Sequence, residues 1–327
     1  MSAPALDRPQ HSTSELAVEV VTRRDVADRV VELTLAAPDR ADLPAWTPGA
    51  HLELHLPNGL RRQYSLCGDP SDRTVYRVGI LREVDGRGGS EYIHSSLTMG
   101  HSLTVGTPAN HFEFVPAERH LFVAGGIGIT PLMPMMQVAH DSGTPWSLAY
   151  LGRSRSTMAF VDELLTRFPG HIDVRPDDEC GITDLDALVS TVLPGTQVHG
   201  CGPEGMLRAL ETAMAAWPAG SLRTERFAPK DAAALTASTG ACNVYFTESD
   251  IEIEVGADTT IVEAAEQAGV PVIYSCMEGT CGTCETRVVC GEIDHRDSIL
   301  SDEEKNANDV MMICVSRAKG DRLELEL

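Results

Sequence analysis

The sequence predicts a multidomain chain that runs from β through α/β to α+β: an antiparallel β-barrel, a doubly wound α/β domain and a C-terminal β-grasp. Three observations point there. Short runs of alternating apolar and polar residues, separated by Pro, Gly, Asn and Asp turns, fill the first hundred residues. Strand and helix patterns then alternate from Leu121 to about Phe227, as in a parallel sheet with crossover helices. Beyond Ala241 come a hairpin, a helix, a cysteine-rich loop and closing strands. A chain of 327 residues has room for two or three domains, each with its own core.

The expected domain limits are 16–116, 117–228 and 242–327, with a disordered tail over 1–15 and an alanine-rich linker over 229–241. In the barrel, strands are expected at 16–23, 29–36, 51–56, 61–66 and 74–81, and a helix at 90–97. His51-Leu52-Glu53-Leu54-His55-Leu56 alternates cleanly, which turns both histidines to solvent.

In the second domain, the buried-strand run Leu121-Phe122-Val123-Ala124 leads straight into Gly125-Gly126-Ile127-Gly128-Ile129-Thr130-Pro131 and a helix at 132–140. Glycines at such a turn let the backbone approach a pyrophosphate, whose charge is welcomed by the free amides of the helix start. Pro131 suits a first helical turn, although it stands where a G-x-G-x-x-G motif has its last glycine. Met133, Met135 and Met136 read as core filler. A strand at 146–151 delivers Gly152-Arg153-Ser154-Arg155 at its carboxyl end. Another at 197–201 delivers Gly202-Pro203-Glu204-Gly205 and a helix at 206–216. Open α/β sheets hold ligands at such ends.

The last domain starts with a hairpin, 243–246 with 251–255, and a helix at 260–268 capped by Thr259 or Thr260 and ended by Gly269 and Pro271. Strands at 285–289 and 322–327 complete its sheet. Between them, Cys276, Cys281 and Cys284 form C-x4-C-x2-C, and Cys314 follows at a distance, the ligand spacing of a plant-type 2Fe-2S cluster. Zinc would want paired C-x2-C knuckles or histidines, and only one C-x2-C occurs. Disulfides would need an oxidising compartment, and residues 1–17 lack a secretory pattern. Cys67, Cys180, Cys242 and Cys290 read as free thiols, the interval from Cys284 to Cys290 being wrong for a fourth ligand.

A net charge of −22 argues against nucleic acid or an anionic membrane as partner, and no apolar run reaches the length of a membrane span. A soluble cytoplasmic protein is expected. Residues 239–327 carry 19 acidic against 6 basic side chains, net −13, which reads either as a solvated face or as a docking face for a basic redox partner.

Arg62-Gln63-Tyr64-Ser65-Leu66 and Gly86-Arg87-Gly88-Gly89-Ser90, taken with Gly125 to Pro131, Cys201-Gly202-Pro203 and Glu225-Arg226-Phe227, resemble the phthalate dioxygenase reductase family over nearly the whole chain after about Leu16. The family includes reductases of vanillate O-demethylase and similar Rieske oxygenase systems. The resemblance implies an FMN-binding barrel, an NAD-binding domain and a 2Fe-2S ferredoxin, in the order found here. By the same resemblance, Arg62, Gln63, Tyr64 and Ser65 contact the flavin, with Tyr64 on the ring face and Ser65 at its reactive edge. Arg62 with the amides of Gly88, Gly89 and Ser90 holds the phosphate, Gly79, Ile80 and Leu81 line the polar edge, and Phe227 closes the other face. Gly125, Gly126, Gly128, Thr130, Pro131, Arg153, Ser154, Cys201, Gly202 and Pro203 serve the nucleotide, with Thr130 and Cys201 flanking the nicotinamide. Cys201 reads equally well as a small buried hydrophobe at a strand end. Arg153 and Arg155 leave NADPH open, while the family favours NADH.

These readings imply a monomeric reductase that carries electrons from NADH through FMN and 2Fe-2S to a terminal Rieske non-haem iron oxygenase. Ser65, Thr130, Cys201 and Phe227 surround the hydride step. A carrier able to take two electrons and release one at a time must separate nicotinamide from cluster. The alternatives are a stand-alone flavin/iron–sulfur oxidoreductase and a redox-sensing protein.

Overall fold

The computed structural model describes residues 15–84, 86–190, 193–230, 235 and 240–327. The expected tail and most of the expected linker therefore lie outside the described residues. Six antiparallel strands form the first sheet: β1 (Leu16–Ala27), β2 (Val30–Ala36), β3 (His51–His55), β4 (Arg61–Ser65), β5 (Tyr76–Leu81) and β6 (Ser102–Val105). Their order is β4-β3-β6-β1-β2-β5, and a bridge between Leu66 and Val78 brings the two end strands together. The alternation places Val18, Val20, Leu33, Leu35, Leu52, Leu54, Val78 and Ile80 inside, all fully buried. Strand β6, only four residues long, carries too short an alternation to be foreseen.

One expectation fails here. His51 is buried, 8% exposed, because its backbone pairs with Ala109 and its ring stacks on His111 at 5.9 Å. The chain after β6 covers this rim, which a strand-local pattern does not register. Glu32, on β2 and 1% exposed, accepts from Arg24 Nε at 2.8 Å and pairs with Arg77. Arg77 also reaches Glu163 of the helix Val161–Arg167 at 3.0 Å, fastening the barrel to the next layer.

That layer is a wholly parallel sheet of β7 (Arg119–Gly125), β8 (Trp146–Gly152), β9 (Ile172–Pro176), β10 (Thr196–Cys201) and β11 (Leu222–Glu225), in the order β11-β10-β7-β8-β9. The strand order reverses between β7 and β10, the crevice where doubly wound sheets bind nucleotides. After β7 the chain makes a 3-10 turn at Gly126–Gly128 and enters the helix Ile129–Asp141. The helix begins three residues before its expected start, because Pro131 sits in the first turn, where its missing N–H costs nothing. Met133, Met135 and Met136 are buried in the core on that side.

Arg226, just past β11, is buried, and donates to Glu204 at 2.8 Å, Glu211 at 2.6 Å and Thr224 at 3.0 Å, tying the helix Glu204–Ala213 to the sheet. Arg226→Met removes the cation shared by both carboxylates, leaving Glu204 with Arg208 and Glu211 with Lys230, and is expected to cost roughly 1–2 kcal/mol, measured by urea denaturation followed through tryptophan fluorescence.

The third sheet joins β12 (Cys242–Phe246), β13 (Ile251–Val255), β14 (Glu285–Cys290), β16 (Val310–Met312) and β18 (Arg322–Leu325) in the order β13-β12-β18-β14-β16, while β15 (Ile293–Asp294) pairs with β17 (Arg317–Ala318). The β12 and β18 pair is parallel. The helix Ile261–Gln267 crosses this sheet. Thr260 is its cap: Thr260 Oγ1 accepts from the Glu263 amide at 3.0 Å, and the Glu263 carboxylate accepts from the Thr260 amide at 2.8 Å, a reciprocal pairing that satisfies two otherwise orphaned donors.

Candidate functional site

The crevice between β7 and β10 is narrow by construction. A side chain at Gly128 would place Cβ 2.2 Å from the Cys201 carbonyl oxygen, and one at Gly125 would meet Pro203 at 2.6 Å. The two turns predicted to bind nucleotide, Gly125 to Pro131 and Cys201 to Pro203, therefore lie against each other at the switch point. Thr130, 1% exposed, donates to the Ile127 carbonyl at 3.0 Å, and Cys201 is fully buried. Arg153 is exposed at the carboxyl end of β8, beside Ser154, which caps the turn Arg155–Thr157. Arg155 pairs with Asp162 at 2.8 Å.

On the barrel, the helix Gly89–Ser96 starts from Gly88 with φ at +78° and no side chain capping its amides. Arg62 lies across this start: a Cβ on Gly89 would sit 2.5 Å from the Arg62 side chain. The Arg62 guanidinium donates to the carbonyls of Arg61 at 2.7 Å and Arg87 at 2.6 Å, and burial followed by the nearby Arg87 charge lowers its pKa. Uncapped amides beside a cation held within a cradle that a Cβ would fill match the needs of a phosphate, so these residues fit FMN. The Ser90 hydroxyl is already engaged, accepting from the Glu83 amide at 3.1 Å. Tyr64 is half-buried, and desolvation pushes its phenol up. Gly79 brings β5 against the nucleotide layer, since a Cβ there would meet Thr130 at 2.9 Å and the Phe160 ring at 3.2 Å; Ile80 is buried and Leu81 partly so.

A residue given no role from the sequence joins the two halves. The Glu225 carboxyl lies 3.4 Å from Ser65 Oγ on the barrel and 3.9 Å from Cys201 Sγ at the switch point. Burial pushes the Glu225 carboxyl up to about 8, against the opposing hydrogen bonds from Ser65 and Cys201. The Cys201 thiol is pushed far up, first by burial and then by Glu225. At neutral pH Glu225 is a proton-bearing group between the expected flavin edge and the expected nicotinamide seat. Phe227, two residues on, stands 44% exposed.

Since the folded Glu225 carboxyl keeps its proton up to about pH 8, the stability it contributes is complete below the ordinary carboxylate range and is lost as pH rises through about 8. Glu225→Gln is expected to flatten the fall in folding stability between about pH 4.5 and about pH 8. Urea midpoints across that range check this, and a slope equal to the parent's contradicts it.

The four cysteines of the predicted cluster come together. Cys281, Cys284 and Cys314 are buried, and Cys276 is partly so. Cys276 sulfur contacts both Cys281 and Cys314, which draws it below the usual thiol range, and Cys314 also contacts Cys284. The Glu278 amide donates to Cys276 Sγ at 3.3 Å. Among the described residues no three His, Cys, Asp or Glu side chains converge as a single-ion site; two irons sharing four thiolates do not require one. Cys290 is exposed at the end of β14, away from this set in burial and neighbours. The Gln63 side-chain amide, on a residue expected at the flavin, reaches Ser275 Oγ at 3.3 Å and Thr283 Oγ1 at 3.4 Å in the cysteine loop.

A family described as 2Fe-2S iron-sulfur cluster binding domains matches residues 244–319. Over 92% of its length the chain is 41% identical to phenoxybenzoate dioxygenase subunit beta of Ectopseudomonas oleovorans, 94% of which is covered. Among solved structures it matches phthalate dioxygenase reductase, described as a modular structure for electron transfer from pyridine nucleotides to 2Fe-2S, with a TM-score of 0.71 and 33% identity, covering 96% of this chain and 98% of that one. It also matches an intact type IV self-sufficient cytochrome P450 monooxygenase with a TM-score of 0.90 and 40% identity over 96% of this chain, where it spans 41% of the longer polypeptide. On similarity that runs almost end to end, together with three modules in the same succession, the chain belongs to the phthalate dioxygenase reductase family of flavin- and 2Fe-2S-dependent oxidoreductases.

Proposed function

We propose that the chain is the reductase component of an oxygenase system, taking electrons from NADH through FMN and its own 2Fe-2S cluster to a separate Rieske-type hydroxylase or demethylase. The observation that carries this is two sets of side-chain contacts that meet on β4: Cys201 to Glu225 to Ser65 across the nucleotide and barrel layers, and Gln63 to Ser275 and Thr283 from the barrel into the cysteine loop. When bound, FMN accepts a hydride and releases its electrons singly, which is what a one-electron cluster needs. The protein's part is positional. Arg62 with the amides of Gly88, Gly89 and Ser90 holds the phosphate, and Tyr64 and Gly79 to Leu81 seat the ring. Gly125 to Pro131, Arg153, Ser154 and Cys201 to Pro203 hold the nucleotide, with Thr130 and Cys201 beside the nicotinamide. Ser65 and Glu225 supply hydrogen bonds at the edge where the two rings meet, and Phe227 closes the other ring face. Cys276, Cys281, Cys284 and Cys314 hold the cluster. The protein works as a monomer in the cytoplasm, where the five cysteines outside the cluster stay reduced; among the described residues no helix is long and apolar enough to cross a membrane.

A second reading has an observation of its own. The similarity to the reductase part of a cytochrome P450 polypeptide makes a haem monooxygenase an alternative electron acceptor. Anaerobic titration of the NADH-reduced chain with purified Rieske oxygenases and with P450s decides between them: rapid reoxidation by a Rieske protein supports the first reading, by P450 haem the second, and by neither defeats both.

A further inference from the structure

The flavin end of the barrel and the cysteine loop meet at a charged pair that lies outside both sets of cofactor contacts. Arg87 precedes the helix Gly89–Ser96. Its carbonyl accepts from Arg62, the phosphate-holding arginine, at 2.6 Å. Its guanidinium turns the other way, donating to the Cys276 carbonyl at 3.0 Å and pairing with Glu278 at 2.9 Å. Glu278 in turn uses its amide on Cys276 Sγ at 3.3 Å. One residue therefore touches the flavin phosphate cradle with its backbone and the cluster loop with its side chain. The rest of this contact is polar or small: Gln63 on Ser275 and Thr283, and Gly282, whose missing side chain leaves room for the His111 ring, which a Cβ would meet at 2.4 Å.

Resting on the reading above, we propose that Arg87 and Glu278 form a latch that positions the cysteine loop against the flavin end of the barrel, so that the Glu278 side chain sets the flavin-to-cluster step without itself touching either cofactor. Arg87 and Glu278 side chains are 52% and 31% exposed, and a half-exposed pair adds little to overall stability. Its contribution is geometric. Electron transfer weakens steeply with separation, so a loop held by four polar contacts and one close packing contact responds to the loss of the strongest of them. The pair is also open to salt, which screens it.

The test is stopped-flow reduction by NADH of the full chain carrying flavin and cluster, compared with Glu278→Ala and Glu278→Gln. Flavin bleaching is expected at the parent rate in both. The later loss of cluster absorbance is expected to slow by about tenfold in Glu278→Ala and by less in Glu278→Gln, whose amide oxygen still accepts from Arg87. Two readouts stand apart from turnover: flavin released on dilution, expected to be unchanged, and hydrogen–deuterium exchange over 275–284, expected to rise. Added salt should slow the second phase of the parent and not of Glu278→Ala. An unaltered second phase in Glu278→Ala, slowed bleaching or flavin loss each overturns the latch. A parent chain that binds no flavin or cluster instead defeats the functional reading beneath it.

Discussion

Cys281→Ser is expected to keep NADH-driven bleaching of the flavin while abolishing NADH-dependent reduction of cytochrome c. The two activities part because the hydride site is assembled from the barrel and the nucleotide layer, whereas one-electron exit requires the cysteine loop. Cys281 is 2% exposed, and its sulfur touches Cys276. Replacing it with a hydroxyl that does not ionise near neutrality removes one of four thiolates, and cluster binding depends on deprotonated sulfur. Iron and sulfide content should fall with the cytochrome c activity. Cys290→Ser is the matched control, since that thiol is exposed and lies on a strand outside the loop; it should retain iron and activity. If Cys281→Ser keeps a full complement of iron, or if Cys290→Ser loses it, the ligand set is wrong.

The features legible in the sequence were those written in short stretches of chain. Three cysteines within nine residues announce a cluster loop, a glycine run marks the turn between a buried strand and a helix, and Thr259 or Thr260 announces a cap. The fold order followed because each layer has its own periodicity. What escaped needs residues distant in sequence. Glu225 was visible within Glu225-Arg226-Phe227, yet its position depends on β11 lying beside β10 and on the barrel presenting Ser65, 160 residues earlier. Arg87 and Glu278 sit in two different motifs, and nothing local says that they meet. That the Gln63 side chain also contacts the cysteine loop could not be read from β4 alone. His51 failed for a related reason, because a segment outside the strand pattern buries it.

Gly128→Ala is expected to slow NADH-driven flavin reduction about 100-fold, the cost of a displacement near 1 Å at a reacting pair. The backbone there, with φ at −62°, is one that any residue adopts, so the requirement is space and not conformation. The added Cβ would lie 2.2 Å from the Cys201 oxygen, 2.4 Å from its carbonyl carbon and 2.7 Å from the Gly202 nitrogen. All three are backbone atoms of the facing turn, with no flexible side chain to swing aside. Relief must come from β7 and β10 separating at the switch point, which carries Cys201 and its strand neighbour Glu225 together away from Thr130 and widens the seat between the two rings. Overpacking of this kind costs about 1–3 kcal/mol, small enough to leave the domain folded, so the effect should appear in the rate. Chemical reduction by dithionite bypasses the nicotinamide and should then deliver electrons to the cluster at the parent rate. A normal NADH rate would mean that the crevice yields without consequence and that the hydride site lies elsewhere, whereas failure with both reductants would mean that the contact supports the whole fold and not this seat.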